Sequence, residues 1–489
     1  MAELLNDRSG WRRFLVEPAR PRSIARRPNA FWFAVGTVCF GAFMGQLDAS
    51  IVTLAFPTLE RDMHETSAAV SWVGLAYLLT LVSLLPAVGR YADMVGRKLL
   101  YTYGFVLFII GSALCGAAPS LDALIAFRVL QALGAAMLQA NSVAIVANAA
   151  PPDKLGRAIG IQGAAQALGL ALGPALGGFL IALGGWRLIF FVNVPVGLVA
   201  TVLAWFLIPR SSHLSERTSF DWTGLAIFTP AVLALLIAFS YGDQSGWGSP
   251  LIVSCLVVAA AGIGGFIWRE LRARYPMVQL SYFRRAAFAA GVSSGWLIYL
   301  VIFGILYVVP YYLERGQGLS SSITGVELLV MPFALGVMAP ISGSLADRLG
   351  PRPLMLGGMS LSAALLILMG ISHPTGAPFL IELALVGAGL GASTAPNNAA
   401  TMGALPQTAS GMASGVLNMA RGLGTAMGLA ITELVFVAAA GSRADVPGLV
   451  KNGFSHAAVF LGLVAAVTLV VTVFRQNGEL RYDPMSQVE

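Results

Sequence analysis

The sequence GRYADMVGR at residues 89–97 recurs as GSLADRLGP at residues 343–351. Each copy follows a proline, Pro86 or Pro340, at the same separation of 254 residues. A second group of residues repeats at a separation of 255, and its pairs are Gly156 with Gly411, Gly160 with Gly415, Gly169 with Gly424 and Gly173 with Gly428. Because two distant segments repeat at nearly the same separation, the chain is predicted to consist of two related halves.

The composition places both halves in a membrane. Only 11% of the 489 residues are charged, 57% are hydrophobic, and the mean hydropathy is +0.77. The apolar runs are long enough to cross the hydrocarbon layer, since about 20 helical residues span its thickness of ~30 Å. A membrane barrel would instead need short segments of alternating hydrophobicity. The predicted fold class is therefore an all-α polytopic membrane protein with 14 transmembrane helices.

The predicted spans form two six-helix bundles with an inserted helix pair between them. They lie near residues 31–56, 69–88, 99–118, 121–148, 158–183, 188–208, 223–241, 249–268, 286–313, 321–344, 353–372, 378–402, 409–438 and 453–474. The predicted domains are a basic segment at 1–30, bundles at 31–208 and 286–474, a linker with two extra helices at 209–285, and a tail at 475–489. This arrangement fits alternating access between two bundles.

The distribution of basic residues predicts the orientation. Loops on the side of both termini hold 23 lysines and arginines, whereas the opposite loops hold 5. By the positive-inside rule both termini are cytoplasmic, and we expect an integral protein of the bacterial cytoplasmic (inner) membrane. The basic residues are scattered through short loops and form no nucleic-acid motif, so the expected partners are membrane lipid and a small substrate. A monomer is expected.

Three motifs resemble those of a known transporter family. The sequence at residues 89–98 resembles the loop signature of the major facilitator superfamily, and residues 47–57 resemble the first-helix motif of its fourteen-helix drug:proton antiporters. Residues 169–178 are similar to the antiporter motif of the fifth helix, carried here by Gly169, Gly173, Pro174, Gly177 and Gly178. The resemblance covers nearly the whole chain. It implies export of multiple drugs or quaternary ammonium compounds, with the proton as coupling ion and no cofactor.

The repeated motif predicts a gate on the cytoplasmic side. Asp93 is placed to lie beside Arg97 and a helix amino terminus, and glycines allow a tight turn and close helix approach. The predicted gate residues are Gly89, Arg90, Asp93, Gly96, Arg97 and Asp347. Because Pro351 replaces a basic residue, the second copy is expected to be the weaker gate. The alternative is a basic loop with an incidental acid.

Glycines recur every four residues on the predicted fifth helix, at Gly169, Gly173 and Gly177. Gln162 and Gln166 share their helical face. Small residues allow close contact between helices, either at a moving interface between the bundles or in static packing. The intrahelical Pro174 removes a backbone hydrogen bond, which favours a hinge.

An acid and a base inside predicted spans are the candidates for proton coupling. Asp48 and Arg128 both lie roughly 10–12 Å inward from the outer ends of their helices. Charge at this depth is costly and usually functional. We predict that Asp48 carries the exchangeable proton and that Arg128 tunes it, with Glu327 as the next candidate acid. The alternative is an ion pair that only orients helices.

Polar and aromatic residues predict a substrate cavity. Glu327 and Glu433 are expected to attract cations, and Arg421 is expected to pair with a nearby acid. The predicted cavity residues are Gln46, Trp72, Tyr77, Gln131, Gln162, Gln166, Tyr299, Phe303, Tyr307, Arg421 and Glu433.

The hypothesis from the sequence is proton-coupled export of hydrophobic, often cationic, small molecules. An exporter of one endogenous metabolite or lipid is the close alternative, since the same helices suit a narrow substrate. A non-transporting membrane enzyme or sensor is the least favoured, because no nucleophile, metal or cofactor constellation supports it.

Overall fold

The computed structural model describes residues 16–212, 214, 219–441 and 447–474. These residues form helices and no strand. Half of the predicted basic segment, the whole predicted tail at 475–489 and the outer-loop residue Arg443 lie outside the described residues. The all-helical prediction is confirmed for the part of the chain that is described.

Fourteen helices in the described residues are long and apolar enough to cross a membrane, which confirms the predicted fold class. The first seven are α1 Phe31–Met63, α2 Ser67–Val95, α3 Arg97–Gly116, α4 Leu121–Ala149, α5 Pro152–Gly184, α6 Leu188–Leu207 and α7 Trp222–Gly242. The last seven are α8 Pro250–Arg272, α9 Ala286–Gly316, α10 Ile323–Leu349, α11 Pro351–Ser372, α12 Ala377–Gly403, α13 Gln407–Ala440 and α14 Gly448–Val473.

The helix packing repeats with an offset of eight helices. Helix α1 packs on α5 as α9 packs on α13, α2 packs on α4 as α10 packs on α12, and α3 packs on α6 as α11 packs on α14. The helices α7 and α8 pack on each other and have no counterpart in this scheme. The two halves are thus built on one plan, with the extra pair inserted between them in sequence.

Two seams join the halves, and they are related by the same offset. One seam lies between α2 and α13 and the other between α5 and α10. Helix α7 also contacts α2 and α13, so this helix of the inserted pair lies over the first seam. Glycines allow the backbones to meet there, since a Cβ at Gly411 would overlap the backbone of Gly89 and one at Gly156 would overlap that of Gly343.

The repeated motif is a junction between two helices and not the loop that the sequence suggested. Helix α2 continues through Asp93 to Val95, and α3 begins at Arg97. The one residue between them is Gly96, whose φ of 125° is accessible to glycine at little cost. The second copy has the same design, with Gly350 at φ 81° between α10 and α11. The helices therefore end later than hydropathy alone indicates.

The glycine stripe of α5 packs against α1 within the first half. A Cβ at Gly169 would meet the Phe43 carbonyl oxygen, and one at Gly173 would meet Ser50. Because α1 and α5 belong to one half, the structure favours static packing over a moving interface for this stripe. The glycines of α5 at the seam are Gly156 and Gly160, nearer the start of the helix.

Alanine substitutions test this packing role. Gly169→Ala should lower the melting temperature of the purified protein, because a methyl group in tight backbone contact costs about 1–3 kcal/mol. Gly178→Ala is the matched control on the same helix, since a Cβ there meets nothing within 4 Å. Thermal unfolding in detergent measures both variants. Equal melting temperatures would contradict the packing assignment.

Candidate transport site

Asp48 on α1 is completely buried, and its carboxylate accepts three hydrogen bonds. Arg128 Nη1 donates to Oδ2 at 2.6 Å, Gln131 Nε2 to Oδ1 at 2.8 Å, and Asn193 Nδ2 to Oδ1 at 3.1 Å. The donors come from α4 and α6. Hydrogen bonds in which a partner is ionised are among the stronger ones in proteins, so these contacts fix the position of the carboxylate. The structure thus brings together the acid and the base that the sequence singled out.

Arg128 is also held by groups other than Asp48. Its Nη1 donates to Gln131 Oε1 at 2.7 Å, and its Nε donates to the Val73 carbonyl at 3.1 Å. Its guanidinium lies 4.1 Å from the centre of the Tyr77 ring, within cation–π range. We call Asp48, Arg128, Gln131 and Asn193 the carboxylate network. Its members join three helices of the first half, α1, α4 and α6, and the bond from Arg128 to Val73 adds α2.

Asn193 was missed in the sequence analysis. It lies on α6 with 2% of its surface exposed, and it donates both to Asp48 and to Ser112 Oγ at 3.1 Å. The available signal was a single amide within the apolar stretch FFVNVPVG. A polar side chain in a membrane span requires a partner, but the sequence gives no indication of which helix supplies it.

A cavity of about 450 Å³ lies between the halves, beside the carboxylate network. Its wall is built by α1, α2, α4, α5 and α7 on one side and by α9 and α13 on the other. Arg128 and Tyr77 form the boundary between network and cavity, whereas Asp48 lies behind them. The predicted cavity residues that line it are Gln46, Tyr77, Gln166, Tyr299, Phe303 and Arg421.

Other predicted cavity residues lie elsewhere. Gln131 belongs to the carboxylate network, Trp72 packs its ring 5.8 Å from that of Tyr241, and Gln162 is buried in α5 outside the wall. Tyr307 and Glu433 interact with each other through their side chains. These positions share helices with the cavity but not the face that lines it.

The predicted attraction of cations by acids is not supported by the cavity wall. None of the described residues that line the cavity is acidic. Glu433 interacts with the Tyr307 hydroxyl, and Glu327 lies on the first segment of α10, before the break between Leu328 and Val330. The sequence analysis chose these acids by their depth in the membrane. Depth does not indicate which face of a helix borders the cavity.

The repeated motif closes the face that carries both ends of the described chain, which we call the basic face. Asp93 accepts hydrogen bonds from the backbone N–H groups of Gly411 and Met412, each at 2.8 Å, and from Arg97 Nη2 at 2.6 Å. Arg97 donates to the Gln407 carbonyl at 2.7 Å. The carboxylate thus binds the amino terminus of α13, where backbone donors are unpaired. We call these contacts the first gate.

The second copy makes a sparser contact across the other seam. Asp347 accepts from the backbone N–H of Gly156 at 2.6 Å and of Arg157 at 3.0 Å. Within the described ranges no basic side chain forms an ion pair with it. Arg90, predicted as a gate residue, is half-buried on α2 and pairs with neither acid. The second copy thus lacks the ion pair that Asp93 makes with Arg97, as expected from the replacement of a basic residue by Pro351.

Further hydrogen bonds close the basic face between α4 and α13. Asn148 Nδ2 donates to Ser410 Oγ at 2.8 Å, and Asn418 Nδ2 donates to the Gln139 carbonyl at 3.0 Å. On the other side, the cavity wall reaches Phe56 in α1. The conformation described is therefore closed at the basic face, with the cavity extending toward the opposite face.

Comparisons with known proteins agree with this architecture. The model of the Major Facilitator Superfamily matches residues 38–429 and, in a second match, 291–484. The multidrug resistance protein Stp of Mycobacterium tuberculosis is 35% identical over 400 residues, which are 81% of this chain and 74% of that protein. The riboflavin transporter RibZ of Clostridioides difficile is 31% identical, covering 83% and 88%. The crystal structure of the human organic anion transporter MFSD10 superimposes with a TM-score of 0.65 at 14% identity, covering 91% and 100%.

The first gate makes a prediction about access at the basic face. Asp93→Asn removes the charge that binds Arg97 and the α13 amino terminus, so the α2–α13 seam should open more often. Cysteines at Asn148 and Ser410, in a variant whose three native cysteines are replaced, report closure as the rate of disulfide cross-linking. We expect Asp93→Asn to slow this cross-linking by about 10-fold or more, because loss of a buried ionic hydrogen bond is worth about 1.5–3 kcal/mol.

Two further variants calibrate this experiment. Asp347→Asn should have a smaller effect, since Asp347 makes no described ion pair, and Asp153→Asn at an exposed position should have none. Equilibrium substrate affinity should stay within a few-fold in all three. Unchanged cross-linking in Asp93→Asn, together with collapsed affinity, would contradict the gate assignment.

Proposed function

Because this chain belongs to the Major Facilitator Superfamily of membrane transporters, we propose that it exports hydrophobic small molecules from the bacterial cytoplasm in exchange for protons. The excess of basic residues supports a cytoplasmic location for the basic face. The state described then opens its cavity outward. Multidrug resistance proteins among the relatives support export as the direction of transport.

The observation that carries the proposal is the carboxylate network at the edge of the cavity. Asp48 is ion-paired in the present state, and Arg128 is the member of the network that borders the cavity. Protonation of Asp48 removes its charge and leaves Arg128 without a counter-ion, which is costly for a buried cation. The network therefore has two states of different geometry, and the proton selects between them.

Alternating access follows from the paired seams. Opening toward the cytoplasm requires separation of α2 from α13 and of α5 from α10, which breaks the contacts of Asp93 and Asp347. Substrate then enters from the cytoplasm, Asp48 releases its proton inward, and the seams close again. Return to the cytoplasm-facing state follows outward release of substrate and reprotonation of Asp48. Only this order moves substrate outward at the expense of the proton gradient.

A narrower substrate range is the second candidate. One relative is a riboflavin transporter, and this supports a dedicated transporter of one metabolite as the alternative. Transport of a broad compound panel into proteoliposomes distinguishes the two, because a multidrug exporter moves several unrelated scaffolds and a dedicated exporter moves one.

Substitution of Asp48 tests the coupling. Asp48→Asn mimics the protonated form, so uphill uptake into inverted vesicles and substrate-induced proton release should both be lost. Exchange of labelled substrate without a pH gradient should persist, because it needs no proton transfer. The matched control is Asp62→Asn, the same change at an exposed position of α1.

Retention of uphill transport by Asp48→Asn would contradict the proposal and move the coupling role to another acid. Since the change leaves Arg128 unpaired and threatens folding, Asp48→Glu provides a second test. This variant keeps the carboxylate and should keep coupled transport at a reduced rate.

A further inference from the structure

Arg421 on α13 is a buried cation without an acidic partner. Only 4% of its surface is exposed, and among the described acids none lies within ion-pair distance. Its Nη1 donates to Asn418 Oδ1 at 3.1 Å, its guanidinium lies 5.0 Å from the centre of the Tyr299 ring, and its Nε donates to no described group. The sequence-based expectation of an ion pair for Arg421 is therefore not met.

The charge of Arg421 is directed at the cavity, whose wall it helps to form. Arg128 is the other cation in the described wall, and Asp48 neutralises it. The described wall thus has a positive charge that no described acid balances. A buried guanidinium is stabilised by an oxygen acceptor, and a bound molecule in this cavity is in a position to supply one.

The groups around Arg421 suit a flat, oxygen-bearing ring system. Phe303 and Tyr299 supply aromatic faces, stacked with a ring separation of 6.2 Å. The hydroxyls of Tyr77 and Tyr241 are buried without a described hydrogen-bond partner, and both side chains line the cavity. Pockets of this kind bind largely apolar molecules through a few placed polar groups.

The internal repeat shows that Arg421 is a feature of one half only. Its repeat position, 255 residues earlier, is Gln166 on α5, which also lines the cavity. The two halves thus present a neutral amide on one side and a cation on the other. A ligand that carries oxygen acceptors at one end and an uncharged aromatic surface at the other matches this asymmetry.

We propose that the cavity binds neutral, flat aromatic compounds that carry carbonyl or phenolic oxygens, with Arg421 donating hydrogen bonds to an oxygen. This inference rests on the proposed function only in taking the cavity as the transport site. Compounds with a fixed positive charge are disfavoured, because the wall offers them a cation and no described acid. Arg421 is thus a specificity-determining residue, and cations are not the preferred substrates.

A neutral ligand is also compatible with proton exchange. Protonation of Asp48 leaves the charge of Arg128 unbalanced, and this would strengthen the binding of an anion. Exchange of substrate for a proton requires that binding of the proton not strengthen binding of the substrate. A neutral ligand is little affected by the charge of Arg128, so the conformational change alone determines its release.

A matched ligand series tests the proposal without any transport. The probes are 7-methoxycoumarins that carry a carboxylate, its methyl ester or a trimethylammonium group. Binding to the purified protein is followed by fluorescence at neutral pH with no proton gradient. In the wild-type protein the ester and the carboxylate should bind at least 10-fold more tightly than the ammonium compound, the effect of roughly one charge-assisted hydrogen bond.

Variants assign this preference to Arg421. Arg421→Gln should weaken carboxylate binding by about 10-fold or more, weaken ester binding several-fold and strengthen binding of the ammonium compound. Arg421→Lys keeps the charge and should lie between this variant and the wild type. Arg315→Gln, the same change as Arg421→Gln but at an exposed position, should leave all three affinities unchanged.

The outcomes separate this inference from the proposed function. Binding of the ammonium compound as tight as that of the ester in the wild-type protein would overturn the inference, even if Arg421→Gln fails to fold. An equal loss of all three ligands in a folded Arg421→Gln variant would overturn it as well. The Asp48→Asn experiment tests proton coupling, and its outcome is independent of these binding results because the binding assay uses no proton gradient.

Discussion

A carboxylate buried within a membrane helix bundle must be supplied with donors, and this requirement organises the first half of the chain. Asp48 obtains them from Arg128, Gln131 and Asn193 on two other helices. Removing one member of such a buried ionic pair costs several kcal/mol, roughly 3–5. The network therefore positions α1, α4 and α6 relative to one another, and it places a titratable group directly behind the cavity wall.

The duplicated architecture supplies symmetric seams, and function lies where the halves differ. Glycines of α5 and α13 make equivalent close contacts at both seams, so the two bundles are joined in the same way. In contrast, the repeat position of Asp48 is Phe303, and that of Arg421 is Gln166. One half thus holds the proton-binding acid and the other the unbalanced cation. We propose that coupling and selectivity are divided between the halves in this way.

The fold could be predicted from the sequence because its signals are local or periodic. Hydropathy indicated the fourteen helices, and two repeated motifs indicated the halves. Asp48 and Arg128 were matched by depth alone, which sufficed because charges at one level of a bundle tend to pair. Depth failed for Glu433, whose partner is Tyr307, and for Arg421, which has no described acidic partner. The face of a helix that borders a cavity depends on its neighbours, and those contacts are not local in sequence.

Proton coupling requires Asp48 to exchange a proton when substrate binds. Calorimetric titration of the purified protein with the neutral methyl ester, repeated in buffers of different ionisation enthalpy, measures the number of protons released per ligand bound. We expect a net release from the wild-type protein, greater than zero and at most about one proton per ligand, since one group exchanges its proton. A binding enthalpy that is the same in every buffer would mean that no proton moves, and it would contradict proton coupling through Asp48.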